Sequence, residues 1–315
     1  MYKAKAMSII KQFIPNGFEL ITLGMTEKEA IISAVQDADY ILAGGRLKIG
    51  ADLLEHAAKL KMIQRSGVGL DSLDLHAIKK KGIPVYVNQG INADSVAEHT
   101  LLLMLASLRN LPVINANTHR GLWSKQEQGV QTFEMSNKVV GLIGMGNIGK
   151  RVAKLVNAFG AKVIYFSEPR ATAEEEYSLS LEYVSLDELL KQADIVSLHC
   201  PLTEQTKNII GESELSIIKK GSIIINTARG GLIDETALFE KLASGHLRAA
   251  ALDVYSQEPI SKDNRLCKLE NVILTPHIGG VTYESFSTMM REAMCNIKLF
   301  EEGKFDAISD RLLRY

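Results

Sequence analysis

Residues 138–153 read KVVGLIGMGNIGKRVA, and this stretch decides how the rest of the chain is read. Its first half is an unbroken aliphatic run, as expected of a strand buried on both faces. Its second half opens a helix. At the junction Gly144, Gly146 and Gly149 follow the spacing GxGxxG. The first glycine allows the tight turn, the second lets a pyrophosphate approach the backbone, and the third lets helix and strand pack closely. The helix start adds unsatisfied N–H groups and the positive end of its dipole. We therefore expect a dinucleotide on Gly144, Gly146, Asn147, Ile148 and Gly149.

Such a site needs a partner for the adenosine ribose at the end of the next strand. That strand, KVIYFS (162–167), runs into Glu168, Pro169 and Arg170. Two arrangements fit. Ser167 and Arg170 can face a 2′-phosphate, or Glu168 can bind the free diol and repel that phosphate. The carboxylate leans the reading towards NAD, with NADP as the alternative.

Strand-like runs alternate with amphipathic helices on both sides of this stretch, which implies βαβ units and parallel sheets. Before it, strands are expected at FELITL (18–23), YILAGG (40–45), KMIQRS (61–66) and PVYVN (84–88). After it come DIVSLHC (194–200), GSIIINTA (221–228), AALDVY (250–255) and NVILTP (271–276). The long apolar helix SVAEHTLLLMLASLRN (95–110) is expected to lie between layers or domains. In the polar stretch after it, Trp123 is expected to pack a loop. The last helix, about 283–302, has no partner in the second series and is expected to return to the first. The fold class is α/β, with two Rossmann-like domains. The first is flavodoxin-like and discontinuous (1–97 and 286–315), and the second is the dinucleotide domain (98–285).

Bulk properties narrow the function. A chain of 315 residues exceeds one ordinary domain. A net charge of −1 provides no field for nucleic acid or anionic lipid. Cys200, Cys267 and Cys295 are odd in number and widely spaced, which fits neither a disulfide framework nor a metal site. No leader-like or membrane-spanning stretch stands out. A cytoplasmic protein is expected.

Three further segments fall at strand ends of the second series: INTARGG (225–231), DVYSQEP (253–259) and LTPHIGG (274–280). Ligands gather at the carboxyl ends of strands in open parallel sheets. Arg229, Glu258 and His277 can therefore meet near a bound nicotinamide.

Taken with RSGVGLDSLDL (65–75), VNQGINADSVAEH (87–99) and LHCPLTEQTKNII (198–210), these segments resemble the D-isomer-specific 2-hydroxyacid dehydrogenase family over nearly the whole chain. The resemblance implies a soluble homodimeric oxidoreductase that moves a hydride between a nicotinamide cofactor and a small 2-keto or D-2-hydroxy acid. Its catalytic residues would be Arg229, Glu258 and His277. Further cofactor contacts would come from His199, Pro201, Thr227, Ala228, Asp253 and Gly279. Substrate contacts would come from Ser66, Gly67, Val68, Gly69 and Asn88, with Arg65 near a distal anionic group and Arg46 a surface charge. A D-3-phosphoglycerate dehydrogenase-type activity is the alternative within this class, and a nucleotide-sensing corepressor-like protein is the alternative outside it. The family's opening strand is absent or truncated here, since only MYKAKAM precedes the helix-like SIIKQFI.

Overall fold

The computed structural model describes residues 4–23, 28–45, 47–67 and 69–314. The chain forms two units, Met1–Asn92 with Thr282–Tyr315, and Ala93–Val281. These cuts differ from the expected ones at 97 and 285. The long helix begins at Ala93 and packs on the helix Asn147–Ala158. At the other cut the Thr282 side chain caps the helix Tyr283–Glu301 by accepting from Ser285 N–H.

In the first unit, strands β1 (Tyr40–Ala43), β2 (Met62–Arg65) and β3 (Val85–Val87) form a parallel sheet in the order β1-β2-β3. Side chains alternate between its faces. Ile41, Ala43, Ile63, Val85 and Val87 pack with Val35 and Ile78 on one face. Met62, Tyr86, Tyr40 and Leu42 pack with Ile10, Met290 and Ile297 on the other. FELITL corrects the expectation: residues 18–23 run as irregular chain and join no ladder among the described residues. A strand pattern needs a hydrogen-bonded neighbour to become a strand, and none adjoins it.

The second unit adds β4 (Val139–Ile143), β5 (Lys162–Phe166), β6 (Leu181–Tyr183), β7 (Ile195–Leu198), β8 (Ile223–Asn226), β9 (Ala249–Leu252) and β10 (Val272–Leu274). They form a parallel sheet in the order β10-β9-β8-β7-β4-β5-β6. The chain leaves β4 in one direction to β5 and later returns to β7 on its other side. The glycine-rich turn after β4 thus lies at the switch point where such sheets bind ligands. Alternation again fills both faces: Leu142, Tyr165, Ile195 and Ile225 enter one cluster, and Ile143, Ile164, Val196 and Ile224 the other. Burying each such side chain contributes about 1.5–3 kcal/mol.

Three differences from the sequence reading stand out in this unit. β6 is short and only partly buried, so its hydrophobic run is too brief to announce it. The stretch expected to be a polar loop contains helices Leu111–His119 and Lys125–Gly129. Trp123 packs against no core and is 84% exposed. The helix Ala93–Leu108 lies against β8, β9 and the helix Asn147–Ala158. Among the described residues no helix is long and apolar enough to cross a membrane, and no His/Cys/Asp/Glu cluster has metal-site geometry.

Candidate active site

The glycine turn has the geometry its spacing predicts. Gly144 has φ +98°, and a Cβ there would lie 2.6 Å from Cys200 N. A Cβ on Gly149 would lie 2.3 Å from the Gly144 carbonyl oxygen, so helix and turn can approach only at glycine. Gly146 differs, since a Cβ there would meet nothing within 4 Å. That open space beside a helix start with no side-chain cap fits a pyrophosphate. Asn147 and Ile148 supply the first turn of that helix.

Ser167 follows β5, and its hydroxyl accepts from Met145 N–H at 3.1 Å, bracing the turn. Glu168 is exposed. Arg170 is committed elsewhere. Its Nε and Nη2 donate to Glu176 at 2.7 and 2.9 Å, and its guanidinium stacks 4.6 Å from the Tyr183 ring centre. Across the turn, His199 N–H donates to the Ile143 carbonyl, and its ring meets Ser197 Oγ at 2.9 Å. Burial pushes the His199 imidazole down to about 4, so it is neutral near pH 7. Pro201 lies exposed just beyond.

The remaining groups follow β8, β9 and β10, which are adjacent in the sheet. After β8, the Asn226 side chain shapes the turn by accepting from Ala228 N–H at 3.0 Å and donating to the Arg229 carbonyl at 2.8 Å. Thr227 is buried, its hydroxyl 2.9 Å from that of Thr100. Arg229 Nη1 donates to the Ala228 carbonyl at 2.7 Å. The next residue must be glycine, because a Cβ at Gly230 would lie 1.9 Å from the Tyr255 carbonyl carbon. The loops after β8 and β9 are therefore in backbone contact.

After β9, Asp253 is 1% exposed and organises the loop after β10. Its Oδ1 accepts from Thr275 Oγ1 at 2.6 Å and Ile278 N–H at 2.9 Å, and its Oδ2 from Gly279 N–H at 2.8 Å. Burial pushes the Asp253 carboxyl up, but His99, 3.6 Å away, and these hydrogen bonds outweigh it and hold it below its usual 3.8. Tyr255 ties the same loops together, donating to the carbonyls of Leu252 and Thr275 at 3.0 and 2.8 Å. Ser95 Oγ closes the far side on the Gly279 carbonyl at 2.7 Å.

That scaffold sets His277 in the left-handed region, with φ +54°. Its Nδ1 lies 2.7 Å from Glu258 Oε2, while Glu258 Oε1 accepts from Tyr255 N–H at 3.1 Å. Glu258 is thus oriented by backbone on one side and orients the imidazole on the other. With Nδ1–H donated to Glu258, Nε2 is the nitrogen left for proton exchange. His99, Asn226, Tyr255 and Thr275 were not singled out from the sequence, and their partners emerge only in the fold.

The residues expected to touch substrate lie in the first unit. Arg65 is 3% exposed and directs its guanidinium to the carbonyls of Gly44 and Gly69 and to Ser72 Oγ. It therefore scaffolds the loop after β2. Ser66 N–H and Oγ both donate to the Ala43 carbonyl, and the space around Gly67 is open. Asn88 is buried and accepts from Asn296 at 2.8 Å, while its own Nδ2 has no partner among the described residues. Val68 and Arg46 lie outside the described residues.

Comparison with known proteins identifies the family. Residues 101–279 match the family model described as "D-isomer specific 2-hydroxyacid dehydrogenase, NAD binding domain". The chain is 42% identical over 277 residues to a hydroxypyruvate reductase of Thermotoga maritima, covering 87% of this chain and 89% of that protein. It is 44% identical over 266 residues to a D-3-phosphoglycerate dehydrogenase of Methanocaldococcus jannaschii, covering 84% of this chain and 50% of that protein. The chain thus spans about half the length of the phosphoglycerate dehydrogenases it matches. Among solved structures, a D-lactate dehydrogenase from Aquifex aeolicus, complexed with NAD and lactic acid, superposes with a TM-score of 0.83 at 32% identity, covering 90% of this chain and 88% of that one. With a glycine turn shaped for a nicotinamide dinucleotide and these relatives beside it, the chain belongs to the D-isomer-specific 2-hydroxyacid dehydrogenase family.

Proposed function

We propose that the chain is an NAD-dependent reductase of small 2-keto acids that yields D-2-hydroxy acids, and catalyses the reverse oxidation. The observation that carries this reading is the Glu258–His277 pair, set after β9 and β10 in a dinucleotide sheet that also carries Arg229 after β8. A nicotinamide dinucleotide with its pyrophosphate held at the glycine turn would supply the hydride for reduction. As negative charge grows on the keto oxygen, His277 Nε2 donates a proton to it and takes one back in the reverse direction. Glu258, 2.7 Å from Nδ1, fixes the plane of the ring. Arg229 pairs with the substrate carboxylate and polarises the carbonyl. Asp253 keeps the turn bearing His277 in register.

Two features support finer choices. Arg170 is held by Glu176 while Glu168 is exposed, which favours NAD over NADP. Arg65, the residue a phosphorylated substrate would need, is directed to the backbone carbonyls of Gly44, after β1, and Gly69, in its own loop. That favours glyoxylate, hydroxypyruvate or pyruvate over 3-phosphohydroxypyruvate. A homodimer completes the reading. Leu102, Leu111, Leu122, Trp123 and Val130 are more than half exposed, and Trp123 and Val130 reach 84% and 80%. Such apolar exposure suits a protein interface.

The direct test is to offer these four keto acids with NADH and with NADPH. Turnover of an unphosphorylated acid with NADH, giving the D product from pyruvate or hydroxypyruvate, is the expected result. Tight NADH binding without turnover of any of them would favour a nucleotide sensor. The molar mass in solution, with Trp123→Ser lowering it, checks the dimer.

A further inference from the structure

The helix Ala93–Leu108 is largely apolar, yet its polar side chains Ser95, His99 and Thr100 meet the loops that carry the candidate site. Ser95 and His99 are four residues apart and so share a face. Ser95 Oγ donates to the Gly279 carbonyl at 2.7 Å, and His99 Nε2 lies 3.1 Å from Thr275 Oγ1. Thr100 Oγ1, one position on, lies 2.9 Å from Thr227 Oγ1 in the loop after β8. The His99 side chain is 15% exposed. Its ring lies against Gly279, where a Cβ would stand 3.2 Å from His99 Cδ2 and 3.1 Å from Asp253 Oδ2.

The direction of the His99 contact follows from the Thr275 proton. A threonine hydroxyl has one proton, and Thr275 donates it to Asp253 Oδ1 at 2.6 Å. Towards His99 the same oxygen can only accept, so Nε2 carries a hydrogen in either charge state of the ring. An N–H pointed at that oxygen leaves the hydroxyl proton directed to the carboxylate. Nε2 is also 3.6 Å from Asp253 Oδ1, so its positive edge faces the buried charge. Asp253 in turn accepts from Ile278 N–H at 2.9 Å and Gly279 N–H at 2.8 Å, the two amides that follow His277. His277 stands at φ +54°, a conformation that a residue with a Cβ keeps only when its surroundings fix it. Without the His99 donor the Thr275 hydroxyl is free to rotate away, and Asp253 loses both its shortest bond and the ring edge beside it.

We propose that His99 is a positioning residue of the candidate site: its Nε2–H locks the Thr275 hydroxyl onto Asp253, and the Asp253 carboxylate holds the turn that aims His277. This rests on the reading of His277 as the proton donor, and adds the group that sets its aim from another element of the fold. A displacement of the turn by about 1 Å separates the imidazole from the keto oxygen and costs about 10²-fold in rate. Arg229 belongs to the loop after β8, so its hold on the substrate carboxylate is left in place.

The test compares replacements of His99 in the full chain. His99→Leu fills similar space without a donor, His99→Asn keeps an amide too short to reach Thr275, and His99→Gln keeps an N–H at the reach of Nε2. In the protein without substrate, the amide proton resonances of Ile278 and Gly279 should move upfield in His99→Leu and His99→Asn, as their bonds to Asp253 lengthen, and stay near the parent in His99→Gln. Amide resonances elsewhere, unmoved, show that a variant is folded. With NADH and the keto acid that the parent reduces, kcat should fall about 10²-fold in the first two variants with KM for the acid within about threefold, and His99→Gln should recover to within about fivefold of the parent. Thr275→Val should add little to the loss in His99→Leu, because both break one chain of contacts. Unmoved amides in His99→Leu and His99→Asn, a His99→Gln as impaired as they are, or fully additive losses with Thr275→Val each overturn the proposal. A parent that turns over none of the acids defeats the functional reading instead, and the amide resonances then decide alone whether His99 holds the turn.

Discussion

The two sheets of this molecule obey the same rules and reach different degrees of completion. In the seven-stranded sheet every interior strand is paired on both sides, apolar clusters fill both faces, and the residues with chemical potential follow strand ends. In the three-stranded sheet the layers are present, but they extend past β1 over a groove whose backbone makes no ladder among the described residues. The contrast separates two determinants of a strand. Side-chain pattern decides which face a residue seeks, and only a neighbouring ladder turns that pattern into β-structure.

The largest effect tests whether the chemistry belongs to the complete sheet. His277→Gln should lower kcat by about 10³-fold, while NADH affinity, read by fluorescence, stays within about twofold. A variant that turns over at full rate removes His277 from the mechanism. Next, one residue type can be compared in the two units, inside a strand and outside any sheet. Ile225 in β8 is 0% exposed, and Ile225→Ala should lose about 4 kcal/mol in denaturant unfolding through the cavity it leaves. Ile21, 56% exposed, should change stability by less than about 0.5 kcal/mol when replaced by alanine. Equal losses would mean that segment 18–23 is packed like a strand after all.

Acid should also distinguish the sheets. The His199 imidazole is lowered from 6.5 to about 4, so the unfolded chain binds its proton first as pH falls. Stability from this group is complete above about pH 6.5 and is lost as pH falls towards 4, by about 3 kcal/mol in all. Asp253, held below its usual 3.8, adds a second loss at lower pH, as the carboxylate protonates. Both groups belong to the seven-stranded unit. Unfolding against pH for His199→Asn should show a flatter slope between pH 4 and 6.5 than the parent protein does.

Much of the candidate site was legible because its signals are local. Gly144, Gly146 and Gly149 declare a turn, an open approach and a close packing within six residues, since backbone sterics act at short range. Arg229, Glu258 and His277 are each announced by the strand they follow. What was not legible depends on long-range partners. His99 meets Thr275 across 176 positions of sequence, and Asn296 meets Asn88 across 208. Tyr255 looks like one more apolar strand residue until its hydroxyl is seen bridging Leu252 and Thr275. The pairing of Arg170 with Glu176 was hidden for the same reason, since no local pattern announces it. FELITL has a strand's composition, and no pattern within it records that its neighbour is missing.

The contact between Gly230 and the Tyr255 backbone has a bearing on how substrate preference can change. With 1.9 Å available where a methyl group would stand, the arginine loop and the loop leading to Glu258 cannot be varied one at a time. A library randomised at 228–231 alone will mostly return unfolded protein. One that diversifies 228–231 together with 254–258 lets each loop make room for the other, and is where new acid specificities should be sought.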